Sequence, residues 1–537
     1  MLLQGSNSKL DKMVLVCFLH ISDLFPGGWT LSQSLALNIV VALLLGYILY
    51  RVVRFFVWYQ YIKKVFEDVP GPNDTRWLYG NLHLLPEDSE ERLMLFYNLS
   101  KNFPKMKMFK FWVGSFLPTL HINHPDTVRL VLETSEPKPT GFDGVYRFGL
   151  PWLGRGLLIA EGVRWAQSRR LLTPAFHPDI LKTYIDVYND GANILLEKLH
   201  PVAMSGKSFE VFQVVSLCTL DVILRCAFSY STDCQRKGDT HPYVQAVNEL
   251  SDTWSYRARK PYLYPDIIFY LTARGRRFKR NCNLVHSVAE DVIKHRRTAL
   301  GNQEPSSTSS RKYLDFLDIL LTAKDENGKG MTPLEIRNEV DTFLFGGHDT
   351  TASAISWILY SLAKHQDIQE KVRAELDSVL EGRDTDDLQW NDLNKLEYLT
   401  MVIDEGMRDH CPVPFIQRQF TKDFELEGKT FPAGTCVSIQ IFGLHHNETV
   451  WEKPMEFIPE RFSKENVAKM DLYQFVPFSA GPRNCIAQHF AMNEEKVILA
   501  KLVHRYKFEL DPDHTPRKKV AAVMRSDNGI KLRISMR

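Results

Sequence analysis

Cysteine is scarce in this chain. Eight cysteines are spread over 537 residues, with no C-x-x-C pair and no regular spacing. That excludes a disulfide scaffold and points to a reducing compartment. Net charge is nearly absent as well: 66 Lys and Arg against 64 Asp and Glu leave +2, which gives no reason to expect a nucleic-acid partner. There is no internal repeat. No Gly-rich dinucleotide fingerprint sits between a strand and a helix pattern, so a nicotinamide cofactor bound by this chain is not expected. The composition that remains, 44% hydrophobic and 24% charged, is ordinary for a globular protein. A chain of this length buries well over two-thirds of its unfolded surface and needs no covalent staples.

One long apolar run is present. From Leu31 to Tyr50 there is no charged residue, and the stretch is about 20 residues, enough to cross a hydrocarbon core as a helix. Arg51, Arg54, Lys63 and Lys64 follow, which by the positive-inside rule puts the carboxyl side in the cytoplasm. Trp29, Tyr47, Tyr50 and Trp58 stand where interfacial aromatics belong. A shorter apolar stretch, Met13 to Leu19, is too short to span. Val69-Pro70-Gly71-Pro72 cannot continue a helix and reads as a stiff elbow. The chain thus divides into an amino-terminal region, 1–69, with a single anchor at about 31–50, and a body, 70–537.

The body reads as mostly helical, with short strand patterns near 109–120 and in the last thirty or so residues. Residues 301–310 are low-complexity and read as a solvated loop. The plainest helix starts at Thr332, with Pro333 at its first position and Glu335 completing a capping box, and it runs to about Lys364. Its middle holds Gly346-Gly347, then His348, Asp349, Thr350 and Thr351. Each glycine costs about 1 kcal/mol relative to alanine in a helix. Close helix packing explains the glycines alone. A glycine gap that lets a flat ligand lie against the backbone also explains the polar residues beside it, whose hydroxyls loosen the local ladder.

Phe478-Ser479-Ala480-Gly481-Pro482-Arg483-Asn484-Cys485 precedes a helical pattern at 488–502. Helix amides and a nearby arginine lower a thiol pKa, and a thiolate held there can ligate iron and push electron density toward bound dioxygen. A structural cysteine in a loop is the other reading, and local physics leaves both open.

The string Phe478, Gly481, Arg483, Cys485 resembles the haem loop of the cytochrome P-450 monooxygenases. Glu405 and Arg408 match the family's E-x-x-R. Phe457 to Phe462, including Arg461, match its P-E-R-F segment, Trp165 and Arg169 its W-x-x-x-R, and Gly346 to Thr350 its oxygen-activating helix. Five motifs in the expected order cover nearly the whole chain. The wording at 169–177, 347–351 and 443–447 resembles the family-four branch, which is similar to fatty-acid omega-hydroxylases and eicosanoid-hydroxylating relatives.

The resemblance implies a mainly α fold with small β-sheets (α+β) behind a transmembrane helix. It implies an endoplasmic reticulum membrane protein with a cytoplasmic body, a lipophilic substrate, and electrons from NADPH through a separate reductase. Cys485 becomes the axial iron ligand. Trp165, Arg169, Arg418 and Arg483 become candidates to hold the haem propionates, with Gly346, Gly347, Phe478 and Gly481 shaping the haem site. Asp349 and Thr350 become the residues that supply protons for dioxygen activation, and Glu405, Arg408 and Arg461 a structural trio. A haem-thiolate isomerase or dehydratase of lipid peroxides, or a non-catalytic haem sensor, are the rival readings. Three departures stand out. Gly346 occupies a position where many members of the branch carry a glutamate that esterifies a haem methyl, so the haem (haem b) is expected to be held without a covalent bond. Ala487 replaces a usual glycine, and Asp409-His410-Cys411-Pro412 replaces a more apolar stretch, which bears on local packing or substrate contacts. Adjacent His445 and His446 share no helix face and lack a third ligand. The basic run Arg274 to Arg280 reads as a solvated helix start, with contact to anionic lipid as the alternative.

Overall fold

A computed structural model of the protein describes residues 33–537 except 78, 104–106, 115, 143, 239, 302–314, 325–327 and 329. The stretch at 13–19 and all but the first residue of the loop at 301–310 lie outside the described residues. The apolar run forms helix α1 (Gln33–Val65), of which Asn38–Val65, with a mean hydropathy of 2.0, is long and apolar enough to cross a membrane. The sequence suggests an anchor that stops at residue 50. The helix instead continues through Arg51 and Arg54, because each guanidinium reaches back one turn and donates to a tyrosine hydroxyl, Tyr47 and Tyr50, at 2.9 Å.

The last turns of α1 are already part of the body. Ile62 and Phe66 are buried, and the Phe66 ring lies 6.3 Å from Trp112 and 5.4 Å from Phe431. The elbow is fastened rather than free: Lys110 N–H donates to Pro70 O at 2.7 Å. A Cβ on Gly71 would stand 2.5 Å from Lys110 O, so only glycine permits that approach.

Beyond the elbow the chain supplies α2 (Ser89–Lys101), capped by Asp88, and the hairpin β1 (Met108–Val113) and β2 (Leu117–Ile122). Then come α3 (Val211–Phe228), α4 (Pro242–Ala258), α5 (Asp266–Leu271), α6 (Ala273–Gly301), α7 (Pro333–Lys364) and α8 (Glu397–Asp409). Strands β3 (Ile416–Gln419) and β4 (Cys436–Ile439), helix α9 (Gln488–Arg505) and the hairpin β5 (Lys518–Val520) and β6 (Met524–Ser526) follow. The largest sheet has the order β1-β2-β4-β3, with β2 parallel to β4 and the other pairs antiparallel. The architecture is mainly α with small sheets, as expected. Helix α3 also passes a membrane-span test by composition, with a mean hydropathy of 1.8, but 78% of it is buried inside the body, which makes it a core helix.

Helix α7 runs through the main core. Its start is as the residue pattern suggests: Thr332 Oγ1 accepts from Glu335 N–H, and Glu335 Oε2 accepts from Thr332 N–H at 2.8 Å. Helix α8 carries the structural trio. Arg408 donates to both carboxylate oxygens of Glu405, at 2.7 and 2.9 Å, and to the carbonyls of His445 and Pro454 at 2.8 Å each. Glu405 also accepts from Ile458 N–H at 2.7 Å and lies 3.5 Å from Arg461 Nε. Both members of the pair are fully buried, so losing one would leave an uncompensated charge at about 3–5 kcal/mol. The trio ties α8 to the segment leading into the Cys485 loop.

Candidate active site

A cavity of about 480 Å³ lies between α7 and the Cys485 loop, with walls that are largely apolar. Trp165, Arg169, Gly346, Gly347, Thr350, Arg418, Phe478, Arg483 and Cys485 all line it. Gly481 and Asp349 do not.

The two glycines of α7 do different things. A Cβ on Gly347 would stand 2.6 Å from the Ile223 side chain, so this glycine serves close packing against α3. A Cβ on Gly346 would meet nothing within 4 Å, so this one opens the helix surface to the cavity. Thr350 and Thr351 donate back to the carbonyls of Gly346 and Gly347 at 2.7 and 2.9 Å, the loosening expected of such hydroxyls.

Asp349 departs from expectation. Its carboxylate is buried and turned to β6, where Arg525 donates to it from Nε at 3.2 Å and Nη2 at 2.5 Å. Of the pair read as the proton source, Thr350 alone faces the cavity. Arg525 was invisible to motif reading, because it lies 176 residues away in sequence.

The loop around Cys485 is shaped by backbone constraints. Gly481 has φ of +69°, and a Cβ there would stand 1.9 Å from Leu132 O, so no other residue fits. Cys485 N–H donates to Phe478 O at 2.8 Å, and α9 begins three residues later. Burial raises the thiol above its ordinary value, against the Ala487 amide and the Arg169 and Lys138 charges, which lower it. The sequence argument, that amides and arginine alone favour the thiolate, is therefore incomplete. A bound metal cation completes it, since coordination deprotonates a thiol outright.

Four cations surround this end of the cavity. Arg169 donates to the carbonyl and side-chain oxygens of Asn484 at 2.7 Å each. Arg483 donates to Ser135 O and Ala160 O at 3.0 Å each and lies 4.3 Å over the Trp165 ring. Burial and the nearby Arg418 push its pKa down to about 10. Arg418, 1% exposed, donates from Nη1 to its neighbour Gln417 O and to no other group among the described residues. Lys138 also lines the cavity, its ammonium held well below its ordinary value by burial and by Arg418 and Arg483. Lys138 was missed in the sequence; its only local mark is a proline on each side.

A profile of the cytochrome P450 family matches residues 69–534. The chain belongs to the cytochrome P450 family. It is 42% identical over 471 residues to cytochrome P450 4F6 of Rattus norvegicus, covering 87% of each chain. Cytochrome P450 4F12 of Homo sapiens is 42% identical over 475 residues, 87% of this chain and 89% of that protein. Cytochrome P450 4F4 of Rattus norvegicus is 40% identical over 522 residues, 95% and 98%. Among solved structures, the crystal structure of the cytochrome P450DA heme domain superposes with a TM-score of 0.75 at 23% identity, over 87% of this chain and 98% of that one, a likeness of fold. This P450 is a haem-dependent monooxygenase that works with a redox reductase on a lipophilic substrate.

The residues present fit a haem. Buried Arg418 Nε and Arg483 Nη2 have no hydrogen-bond partner among the described residues, and both belong to guanidiniums suited to carboxylates. The open face at Gly346 admits a flat ring, and Cys485 supplies a soft ligand. Replacing Cys485 by Ala should abolish the red-shifted band of the reduced carbon monoxide complex, because that band requires a thiolate ligand to the iron. A variant that keeps the band would remove Cys485 as the ligand.

Proposed function

We propose that this P450 hydroxylates a fatty acid or eicosanoid at or near its terminal carbon. The observation that carries the reading is the apolar cavity, whose walls between Cys485 and α2 are built from side chains such as Leu85, Phe96, Phe111, Phe176 and Trp254. The family-four relatives agree with it. When bound, the haem iron activates dioxygen with electrons that originate from NADPH and arrive through a separate flavoprotein reductase.

The chain's own residues do the rest. Cys485 holds the iron. Arg169, Arg418, Arg483 and Lys138 hold the propionates, and Trp165 steadies Arg483 through the cation–π contact. Thr350 lines the cavity with its hydroxyl proton resting on Gly346 O at 2.7 Å, and turning that hydroxyl toward a bound group makes the proton available there. Asp349 keeps α7 fixed to β6 through Arg525, and any proton passing from it must first leave that ion pair. A threonine facing the cavity favours hydroxylation over rearrangement of a peroxide, which needs no proton delivered to dioxygen. With reductase, NADPH and a panel of fatty acids, eicosanoids and lipid peroxides, mass spectrometry should find a gain of one oxygen on the acids. In the Thr350→Ala variant hydrogen peroxide per NADPH should rise several-fold while product falls. Isomerised peroxide without NADPH would favour the rival reading, and unchanged coupling would take Thr350 off the proton path.

The haem is held without a covalent bond, because the position that faces the cavity at 346 has no side chain, and the next acid along α7, Asp349, is engaged by Arg525. Acid–organic extraction should separate haem from polypeptide. Haem that stays with the chain under denaturing chromatography would overturn this.

The protein sits in the endoplasmic reticulum membrane with its body in the cytoplasm, held by α1. Exposed Ile267 and Leu271, 80% and 71% exposed on α5 just ahead of the basic start of α6, support a second contact with anionic lipid. Protease added to intact microsomes should digest the body, and protection would reverse the topology.

A further inference from the structure

The cavity carries a second group of cations that the haem does not use. Arg92, on α2, and Arg259, the residue that closes α4, both line it. They form a separate cluster from the one at Cys485. Arg259 lies in the field of Arg92, Glu87, Arg274 and Asp252, whereas Lys138 lies in that of Arg418, Arg483 and Cys485. Between the two groups the wall is apolar, with Leu85, Phe96, Phe111 and Trp254.

Neither guanidinium has a carboxylate within 4.0 Å among the described residues. Arg92, 8% exposed, is anchored by Nη1, which donates to the carbonyls of Pro86 and Glu87 at 2.6 and 2.5 Å. Arg259 has one side-chain partner, the Ser255 hydroxyl at 3.5 Å. The nearby acids are engaged elsewhere. Asp88 caps α2 by accepting from the amides of Glu90 and Glu91, Asp252 accepts from Lys519 at 2.8 Å, and Glu87, 91% exposed at its side chain, faces Lys260 at 3.4 Å. Two arginines, one buried and one half-buried, thus line one apolar cavity without a carboxylate in ion-pair contact among the described residues, and the Glu87 and Asp252 charges offset the effect of Arg92 on Arg259 only in part. Burial and Arg92 push Arg259 down to about 10. A carboxylate arriving from solvent would relieve both the repulsion and the loss of hydration.

We propose that Arg92 and Arg259 form a carboxylate-binding site at the cavity mouth that holds the acid group of a long-chain fatty acid and leaves its methyl end near Cys485. The site rests on the fatty-acid reading and explains why oxidation would fall at the far end of the chain. With the head pinned, the methyl end is the part that reaches the haem.

The test uses the full-length holoenzyme, a saturated long-chain fatty acid and its methyl ester. Substrate binding is followed by the shift of the haem absorption band, and the site of hydroxylation by mass spectrometry. The wild-type protein should bind the acid about ten-fold or more tightly than the ester, the scale of a hydrogen bond to a charged group. Arg259→Gln should bring that ratio close to one and spread hydroxylation inward along the chain. Arg259→Lys should keep most of the preference, and Arg92→Lys, which retains the charge but loses the fork, should reduce it partly. Equal affinity for acid and ester in the wild-type protein, or a ratio unchanged by Arg259→Gln, would overturn the site. If the wild-type enzyme hydroxylates neither compound, the fatty-acid reading fails, and the acid-to-ester binding ratio still judges the carboxylate site by itself.

Discussion

Buried positive charge without a matching acid is the constraint on which the site depends. Arg169, Arg418 and Arg483 converge on the Cys485 end of the cavity, with Lys138 beside them, its ammonium disfavoured by burial and by Arg418 and Arg483. The carboxyl in that wall, Glu495 on α9, makes no ion pair with them among the described residues, and burial and the Asp404 charge push its pKa well above the ordinary range. Such a cluster is tolerable only beside an anionic group brought from outside. A haem with two propionates is a group of that kind, and the unpartnered Nε of Arg418 and Nη2 of Arg483 are the donors left over for it. The thiol obeys the same logic with the sign reversed: burial favours its neutral form, and a metal cation is what makes the thiolate stable.

The scaffold exists to hold these groups still. The buried Glu405–Arg408 pair binds four separate backbone groups as well as each other, and so fastens α8 to the segments at 445, 454–458 and onward to the Cys485 loop. Gly347 lets α7 lie directly on α3, which fixes the height of Thr350 over the cavity. The Asp349–Arg525 pair prevents rotation of the same helix from the other side. Rigid packing of this kind is what allows one residue, Gly346, to be open without the helix collapsing into the gap.

Local features were legible in the sequence. The capping box at Thr332 and Glu335, the elbow at 69–72, the order of the five motifs and the mainly helical body all depend on residues close together in the chain. What escaped was decided by contacts across the chain. Asp349 looks like a cavity residue by its place beside Thr350, yet a partner in the carboxyl-terminal hairpin turns it away. Lys138, Arg92 and Arg259 are single basic residues with no motif, and only the fold brings them to a common cavity. Helix α1 outruns the apolar run read as the anchor, because tyrosines one turn earlier let Arg51 and Arg54 remain within it.

The departure at 409–411 shows how such a change can be absorbed. The sequence raised two prospects for these polar residues, altered packing or altered substrate contacts. In the structure none of Asp409, His410 and Cys411 lines the cavity, although Met407 before them and Pro412 after them do. His410 stacks on Trp357 at 4.5 Å, and the Cys411 thiol donates to Val413 O at 3.0 Å. Asp409 has His410 and His446 at 3.3 Å each. Burial raises its carboxyl, but His410, the hydrogen bond to His446 and the Lys518 charge outweigh that and hold it well below its ordinary value, while burial lowers both imidazoles. His446 in turn keeps its other nitrogen 2.9 Å from Phe442 O, which leaves the adjacent histidines as hydrogen-bonded core residues rather than metal ligands. The polar stretch therefore pairs largely within itself behind the cavity wall, with His410 Nδ1 left without a partner among the described residues. Its effect falls on the packing of α8 against α7, the two helices that set where Thr350 and the Cys485 loop stand.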